Sequence, residues 1–132
     1  MVAARDVFRQ IVFAWLTGNG DVHAKNMSVL GDATTGEWRV APAYDLPSTL
    51  PYRDFTMALS VGGKREGLSR RSLSEFAERA GLPVRAASRV LDDVLDATEG
   101  VIPDVESGVV SLPPQSVRPW VRGLRSRRKG LA

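Results

Sequence analysis

The chain has 132 residues, 43% hydrophobic and 25% charged, with a formal net charge of +3; this is the composition of one globular domain and excludes wholesale disorder. It contains no cysteine, which excludes disulfides, thiolate metal sites and a cysteine nucleophile, and fits a reducing, cytoplasmic setting. No apolar run approaches the roughly 18 residues needed to cross a bilayer, and Arg5, Asp6, Arg9 and Gln10 interrupt the N-terminal segment, so it lacks the core of a signal peptide.

In chain order, Val7, Phe8, Ile11, Val12, Ala14 and Trp15 follow helical spacing from Arg5 to Leu16, and Gly18 with Gly20 stop that helix. Met27 to Leu30 reads as a short strand, Gly31 to Gly36 as a turn and Glu37 to Val40 as the returning strand of a hairpin. Pro47 and Pro51 make Asp45 to Tyr52 irregular, and Phe55 to Val61 reads as a strand or buried segment running into a turn at Gly62-Gly63-Lys64. The spacing of Ser72 and Glu75 predicts a capping box at the head of a helix that Gly81 closes. Pro83 opens the next helix, striped by Val84, Ala87, Val90, Leu91, Val94 and Leu95 and ended by Gly100 and Pro103. Val105 to Pro114 reads as turns, followed by a short helix from about Pro114 to Leu124. The excess positive charge gathers in a basic stretch at 118–130, expected as a solvated tail or the last turn of a helix. The expected fold class is mainly α with a small β-hairpin, in one domain over 1–132: a motif-bearing part at 7–63, a helical remainder at 69–124 and the basic tail.

The first fifty residues carry the chemistry. Asp21 and Asn26 stand five residues apart in a glycine-flanked loop, and Asp45 follows at the far end of the hairpin. A hairpin brings its ends together, so Asn26 and Asp45 come within reach of one metal. Phosphoryl transfer asks little covalent work of a protein; it needs a positioned hydroxyl and neutralised phosphate oxygens. Asp21 suits the acceptance of a hydroxyl proton, and Asn26 and Asp45 are oxygen ligands of the kind magnesium prefers. His23 and Lys25 are the loop's other polar groups, able to steady phosphate, although Lys25 could equally pair with Asp21. Taken singly, each residue is ordinary turn chemistry; the ordered combination carries the inference.

Three blocks in order, Asp21-Val22-His23-Ala24-Lys25-Asn26-Met27-Ser28, Trp38 to Leu46 and Met57 to Gly63, resemble the C-terminal catalytic lobe of the HipA family of bacterial protein kinases. The resemblance implies a protein-kinase-like C-lobe of HipA type: a serine/threonine kinase using ATP and magnesium, the toxin of a HipA/HipB-type toxin-antitoxin module. It implies Asp21 as catalytic acid/base, Asn26 and Asp45 as metal ligands, and His23 and Lys25 as catalytic-loop and nucleotide-facing residues. The implied partners are a HipB-like antitoxin and a protein substrate, with a translation component suggested by the family.

A kinase also needs a phosphate-covering loop and a strand lysine held by a helix glutamate. The twenty residues before Asp21 hold neither lysine nor glutamate. The expectation is therefore that the N-terminal nucleotide lobe is absent from this chain and that the chain alone has little or no kinase activity, with a truncated gene, an alternative start and a split protein completed by a separately encoded lobe as the three open explanations. One alternative is a non-catalytic remnant that only binds an antitoxin or a partner lobe. The other is a helix-turn-helix DNA-binding module around Ala80-Gly81-Leu82-Pro83. Arg85 and Arg89 favour it, but Asp92, Asp93 and Asp96 on the same helix would be repelled by phosphate, so packing is expected and direct nucleic-acid binding is not. No membrane partner is expected.

Overall fold

The computed structural model describes residues 2–132. Its five helices are α1 (Val2–Thr17), α2 (Arg70–Arg79), α3 (Val84–Ala97), α4 (Val101–Glu106) and α5 (Pro114–Leu131). Strands β1 (Val29–Gly31) and β2 (Trp38–Val40) form one antiparallel hairpin between α1 and α2, and single 3-10 turns lie at Ala24–Asn26 and Leu50–Tyr52. The α+β class is thus as expected, with helix dominant. None of the helices is long and apolar enough to cross a membrane among the described residues.

Helix α1 is the axis of the fold. Its face of Phe8, Ile11, Val12, Trp15 and Leu16 is buried against α3, whose Ala87, Val90, Leu91 and Val94 are buried in the same cluster with Leu73 and Ala77 of α2. A second, smaller cluster gathers Leu50, Val105, Trp120, Val121 and Leu124, where α5 meets α4 and the 50–52 turn. Burying each large aliphatic side chain contributes about 1.5–3 kcal/mol, so these two clusters hold rigid the irregular 41–61 segment that runs between them.

Several boundaries differ from the sequence reading. Helix α2 starts earlier than the Ser72–Glu75 box predicts: Ser69 is its N-cap, with Oγ accepting from the Ser72 amide at 3.2 Å, and Ser72 Oγ accepts from the Ser69 amide at 2.9 Å. Glu75 instead takes a bond from Arg71 at 2.8 Å, a helical turn away, and that pairing holds its carboxyl below the usual range. Pro103 does not end a helix but sits in the first turn of α4, where a missing N–H costs nothing because that donor has no intrahelical partner. The strands begin one or two residues later than expected because Met27 closes the Ala24–Asn26 turn, its amide bonded to the Ala24 carbonyl at 3.3 Å. Phe55 to Val61 forms no strand; it packs Met57 and Val61 inside and meets its own return at a Val61–Lys64 bridge and at Met57, whose amide donates to the Arg65 carbonyl at 2.7 Å and whose carbonyl accepts from Arg65 Nε at 2.7 Å.

The basic stretch is the end of α5, which continues to Leu131. Arg127 explains the extension. It is 4% exposed, lies over the Trp15 ring at 4.0 Å from its centroid, and donates to the carbonyls of Trp15 at 3.0 Å and Phe55 at 2.7 Å. Burial lowers its pKa to about 10, with Asp54 pulling the other way. One side chain thereby pins the last helix to the C-terminal end of the first and to the irregular segment.

Candidate active site

The loop bearing Asp21 is built by the way α1 stops. The Gly18 amide bonds to the Trp15 carbonyl at 3.2 Å and the Asn19 amide to the Ala14 carbonyl at 2.8 Å, with Gly18 at φ 76°. That is a Schellman motif, in which the left-handed residue is glycine because a Cβ is strained there. A Cβ on Gly18 would also lie 2.5 Å from Leu50. The chain therefore leaves the core at a fixed angle and delivers Asp21 to the surface.

Asn19 then does what the sequence reading missed. It is wholly buried, its Oδ1 accepts the Asp21 amide at 3.0 Å, and its Nδ2 points to the Asp45 carbonyl at 3.5 Å. The Asp21 loop and the Asp45 loop are thus bolted together by one buried amide. A polar residue where this motif usually places an apolar one was the available signal, but between two glycines it passes for turn composition. Thr49 is a second clamp that was missed. Its Oγ1 accepts the Gly20 amide at 3.1 Å, and its own amide donates to the Gly18 carbonyl at 2.8 Å. The amides of Ala58 and Leu59 bond to the carbonyls of Gly20 and Val22 at 2.8 and 3.2 Å, so both edges of the loop are held.

The hairpin performs the juxtaposition expected of it. Val29 pairs with Val40, Leu30 with Arg39 and Gly31 with Trp38, and the Ala41 amide adds one more rung to the Ser28 carbonyl at 2.8 Å. Across its open end Asn26 Nδ2 donates to Asp45 Oδ2 at 3.0 Å, while Asn26 Oδ1 accepts the His23 amide at 3.0 Å. The Tyr44 hydroxyl reinforces the same closure through the Lys25 carbonyl at 2.9 Å and Ser28 Oγ at 2.7 Å. At the hairpin's tip Asp32 accepts the amides of Thr34 and Thr35, and those bonds hold its carboxyl below the usual range.

Asp45 sits at φ 54°, a left-handed conformation that costs a non-glycine residue about 1–2 kcal/mol. It is also exposed, so the chain keeps an acid at a position where glycine is the conformationally relaxed choice. Asp21 and Lys25 are exposed as well, and His23 and Asn26 are half-buried. His23 Nδ1 is a buried atom with no hydrogen-bond partner among the described residues. Lys25 makes no ion pair with Asp21 there.

The residue types suit magnesium: Asp45 offers a carboxylate and Asn26 an amide, and magnesium takes one or two carboxylates and leaves its other positions to water and substrate phosphates. As placed, the Asn26 amide turns Nδ2 toward Asp45 and Oδ1 toward the His23 amide, so Asp45 is the oxygen ligand on offer. Among the described residues no cluster of three or more His, Cys, Asp or Glu side chains is placed to enclose an ion, so an ion here would depend on phosphate oxygens for the rest of its shell.

Comparison with known proteins places this geometry in a family. "Putative kinase Y4mE" of Sinorhizobium fredii is 32% identical over 123 residues, covering 87% of this chain and 29% of that protein. "Putative kinase Y4dM" of the same organism is 40% identical over 82 residues, covering 58% of this chain and 20% of that protein. A solved complex of the Shewanella oneidensis toxin-antitoxin proteins HipA and HipB with operator DNA matches with a TM-score of 0.69 at 24% identity, over 95% of this chain and 30% of the matched one. That likeness shows a shared fold, and the chain spans less than a third of the length of these proteins. The family model described as the HipA-like C-terminal domain matches residues 1–102, and the chain therefore belongs to the HipA-like C-terminal domain family.

Proposed function

We propose that this chain supplies the hydroxyl-accepting and metal-holding half of a phosphoryl-transfer site, which moves phosphate from ATP to a serine or threonine of a protein as the catalytic lobe of a HipA-type toxin kinase. The observation that carries the reading is the Asn26–Asp45 bond across the open end of the hairpin. It brings the Asn26 amide, through its Nδ2, against the Asp45 carboxylate nineteen residues away, beside a loop that presents an exposed acid. Family membership and the names of the relatives support the same chemistry.

In this reading Asp21 accepts the proton of the attacking hydroxyl, and the buried Asn19 keeps its backbone from drifting. Asp45 and Asn26 hold magnesium, which when bound neutralises charge on the phosphate oxygens. His23 and Lys25 face the nucleotide side of the loop, where Lys25, free of an ion pair with Asp21, adds positive charge and His23 a ring nitrogen.

The nucleotide is clamped by a second body, a lobe of the kind expected in the remaining length of the relatives. Its seat is the exposed apolar surface around the hairpin: Trp38 is 74% exposed and Val29 60%, with Leu30, Tyr44 and Leu46 also open. Val29 and Trp38 share one face of the hairpin, with Leu30 on the other, and exposed apolar side chains beside a site mark an interaction surface. A HipB-like antitoxin is the proposed regulatory partner, in keeping with the complex named for the structural relative.

The test is transfer of labelled phosphate from ATP with magnesium, using the chain joined behind, or mixed with, a nucleotide lobe from one of these relatives. Transfer should fall by about 100-fold or more in Asp21→Asn and be lost in Asp45→Ala. Undiminished transfer in Asp21→Asn would overturn the assignment of the proton acceptor.

A further inference from the structure

The 49–54 turn carries two side chains to which the chemistry so far gives no task. It closes on itself through Thr49, whose carbonyl accepts the Tyr52 amide at 3.0 Å and whose Oγ1 donates to the Asp54 carbonyl at 3.0 Å. Leu50 and Pro51 are buried at its base, Leu50 within the smaller core cluster that α5 joins. Tyr52 and Arg53 are left outside. Tyr52 is 76% exposed, more than any other large apolar or aromatic side chain among the described residues. Arg53 takes φ 62°, and among the described residues the only other non-glycine residue with a positive φ is Asp45, in the site itself. Such strain collects at functional positions. Among the described residues Arg53 has no ion-pair partner.

The turn is also part of the frame of the Asp21 loop. Thr49 Oγ1 accepts the Gly20 amide at 3.1 Å, and the Thr49 amide donates to the Gly18 carbonyl at 2.8 Å. A 3-10 turn rises about 2 Å per residue, which puts Tyr52 and Arg53 on the order of 10–15 Å from the Asp21 loop. About four residues of extended peptide, at about 3.3 Å each, cross that span.

We infer that Tyr52 and Arg53 select the protein substrate: they grip an acidic side chain about four residues along the chain from the serine or threonine that Asp21 serves. This inference rests on the phosphoryl-transfer reading. A guanidinium matches a carboxylate through two parallel hydrogen bonds, and the Tyr52 ring adds a rigid apolar contact beside it. Tyrosine and arginine are the residue types in which binding energy concentrates. A basic side chain is the poorer occupant, because Arg53 repels it and the nearby acids are engaged. Asp54 Oδ1 accepts the Thr56 amide at 3.2 Å and its hydroxyl at 3.0 Å, and Asp45 takes the Asn26 amide at 3.0 Å. With its base buried and its ends closed by Thr49, the turn holds the pair in place before a substrate arrives, which lowers the ordering cost of binding.

The test is transfer of labelled phosphate from ATP with magnesium by the chain joined behind a nucleotide lobe from one of the relatives. The acceptors are an arrayed library of serine peptides in which each position around the serine is fixed in turn to each amino acid. The wild type should select aspartate or glutamate at one position about four residues from the serine. On the peptide so chosen, Arg53→Gly should raise KM about 10-fold with kcat little changed. Arg53→Glu should switch the selection at that position to lysine or arginine, which a merely structural role does not produce. Transfer without acidic selection, or acidic selection that survives Arg53→Glu, overturns the pair and leaves the transfer reading intact. Transfer to no peptide overturns the transfer reading and the pair with it. Thermal melts check folding. Glycine suits φ 62°, so where Arg53→Glu melts lower, Arg53→Gly decides, and acidic selection that persists in it overturns the pair.

Discussion

Asn19 and Asp45 show at the scale of single residues how a site imposes itself on a stable fold. Asn19 is buried without a charge and satisfies backbone groups of both acidic loops. Asn19→Ala leaves the Asp21 amide without its acceptor and should cost about 2 kcal/mol, visible as a lower melting temperature. If the proposed function holds, in a chain joined to a nucleotide lobe it should lower turnover more than it raises KM for ATP, because its contacts are to the Asp21 and Asp45 loops. Asp45 runs the other way. Glycine there relieves the left-handed backbone at φ 54°, so Asp45→Gly should leave stability unchanged or raise it by about 1 kcal/mol while removing metal binding. A lower melting temperature for that variant would mean that the Asn26 bond outweighs the strain. Gly20 has no such latitude, since a Cβ would meet Thr49 Oγ1 at 2.3 Å and the Thr56 carbonyl at 2.5 Å. Gly20→Ala should cost about 3 kcal/mol.

Among the elements, the hairpin and α2 separate what was legible in the sequence from what was not. The hairpin was legible because its signals are local: short apolar runs around a turn with Asp32 and Gly36, where Gly36 takes φ 73°. That it would join Asn26 to Asp45 followed from its topology. The start of α2 was misplaced because two overlapping Ser-x-x patterns compete, and the apolar stripe does not choose between them. The structure chooses Ser69, whose side chain is tied into the exchange with Ser72. Ser69→Ala should therefore destabilise the protein by about 1 kcal/mol, whereas Glu75→Gln, altering only an exposed pair, should be close to neutral at pH 7. The sign of the pH effect follows from the lowered Glu75 pKa. Whatever stability that pair contributes is fully present above the ordinary value of 4.5 and is lost as pH falls through the lower folded value. Denaturant melts of the wild type and Glu75→Gln should converge in acid.

For the whole molecule, the ends of the chain are what the sequence left unreadable. The family blocks between residues 7 and 63 are local patterns, but the closing of α5 onto α1 rests on Arg127 meeting Trp15 and Phe55. An arginine in a basic run carries no mark that it will be buried. Its contacts are long in sequence and depend on where α1 ends and how the 50–57 segment turns. Arg127→Met should lose about 2–4 kcal/mol, since it leaves two carbonyls unpaired and removes the stacking on Trp15. Arg127→Lys should recover little of that, because one ammonium cannot serve both carbonyls and lie flat on the ring.

The arrangement as a whole is a rigid α-helical base that presents one clamped acidic loop and one strained acidic residue on the same surface, with apolar side chains left open beside them. The proposed function requires that, in the chain as it stands, Asn26 and Asp45 hold a divalent cation next to Asp21. The most direct measurement is residue-resolved NMR of the amide signals during titration with manganese, which stands in for magnesium and broadens nearby signals even when it binds weakly. Broadening is expected to centre on Asn26, Asp45 and their neighbours in the Asp21 loop, and to be absent in Asp45→Ala. Broadening centred instead on the acidic face of α3, or a pattern at the hairpin that persists in Asp45→Ala, would contradict it.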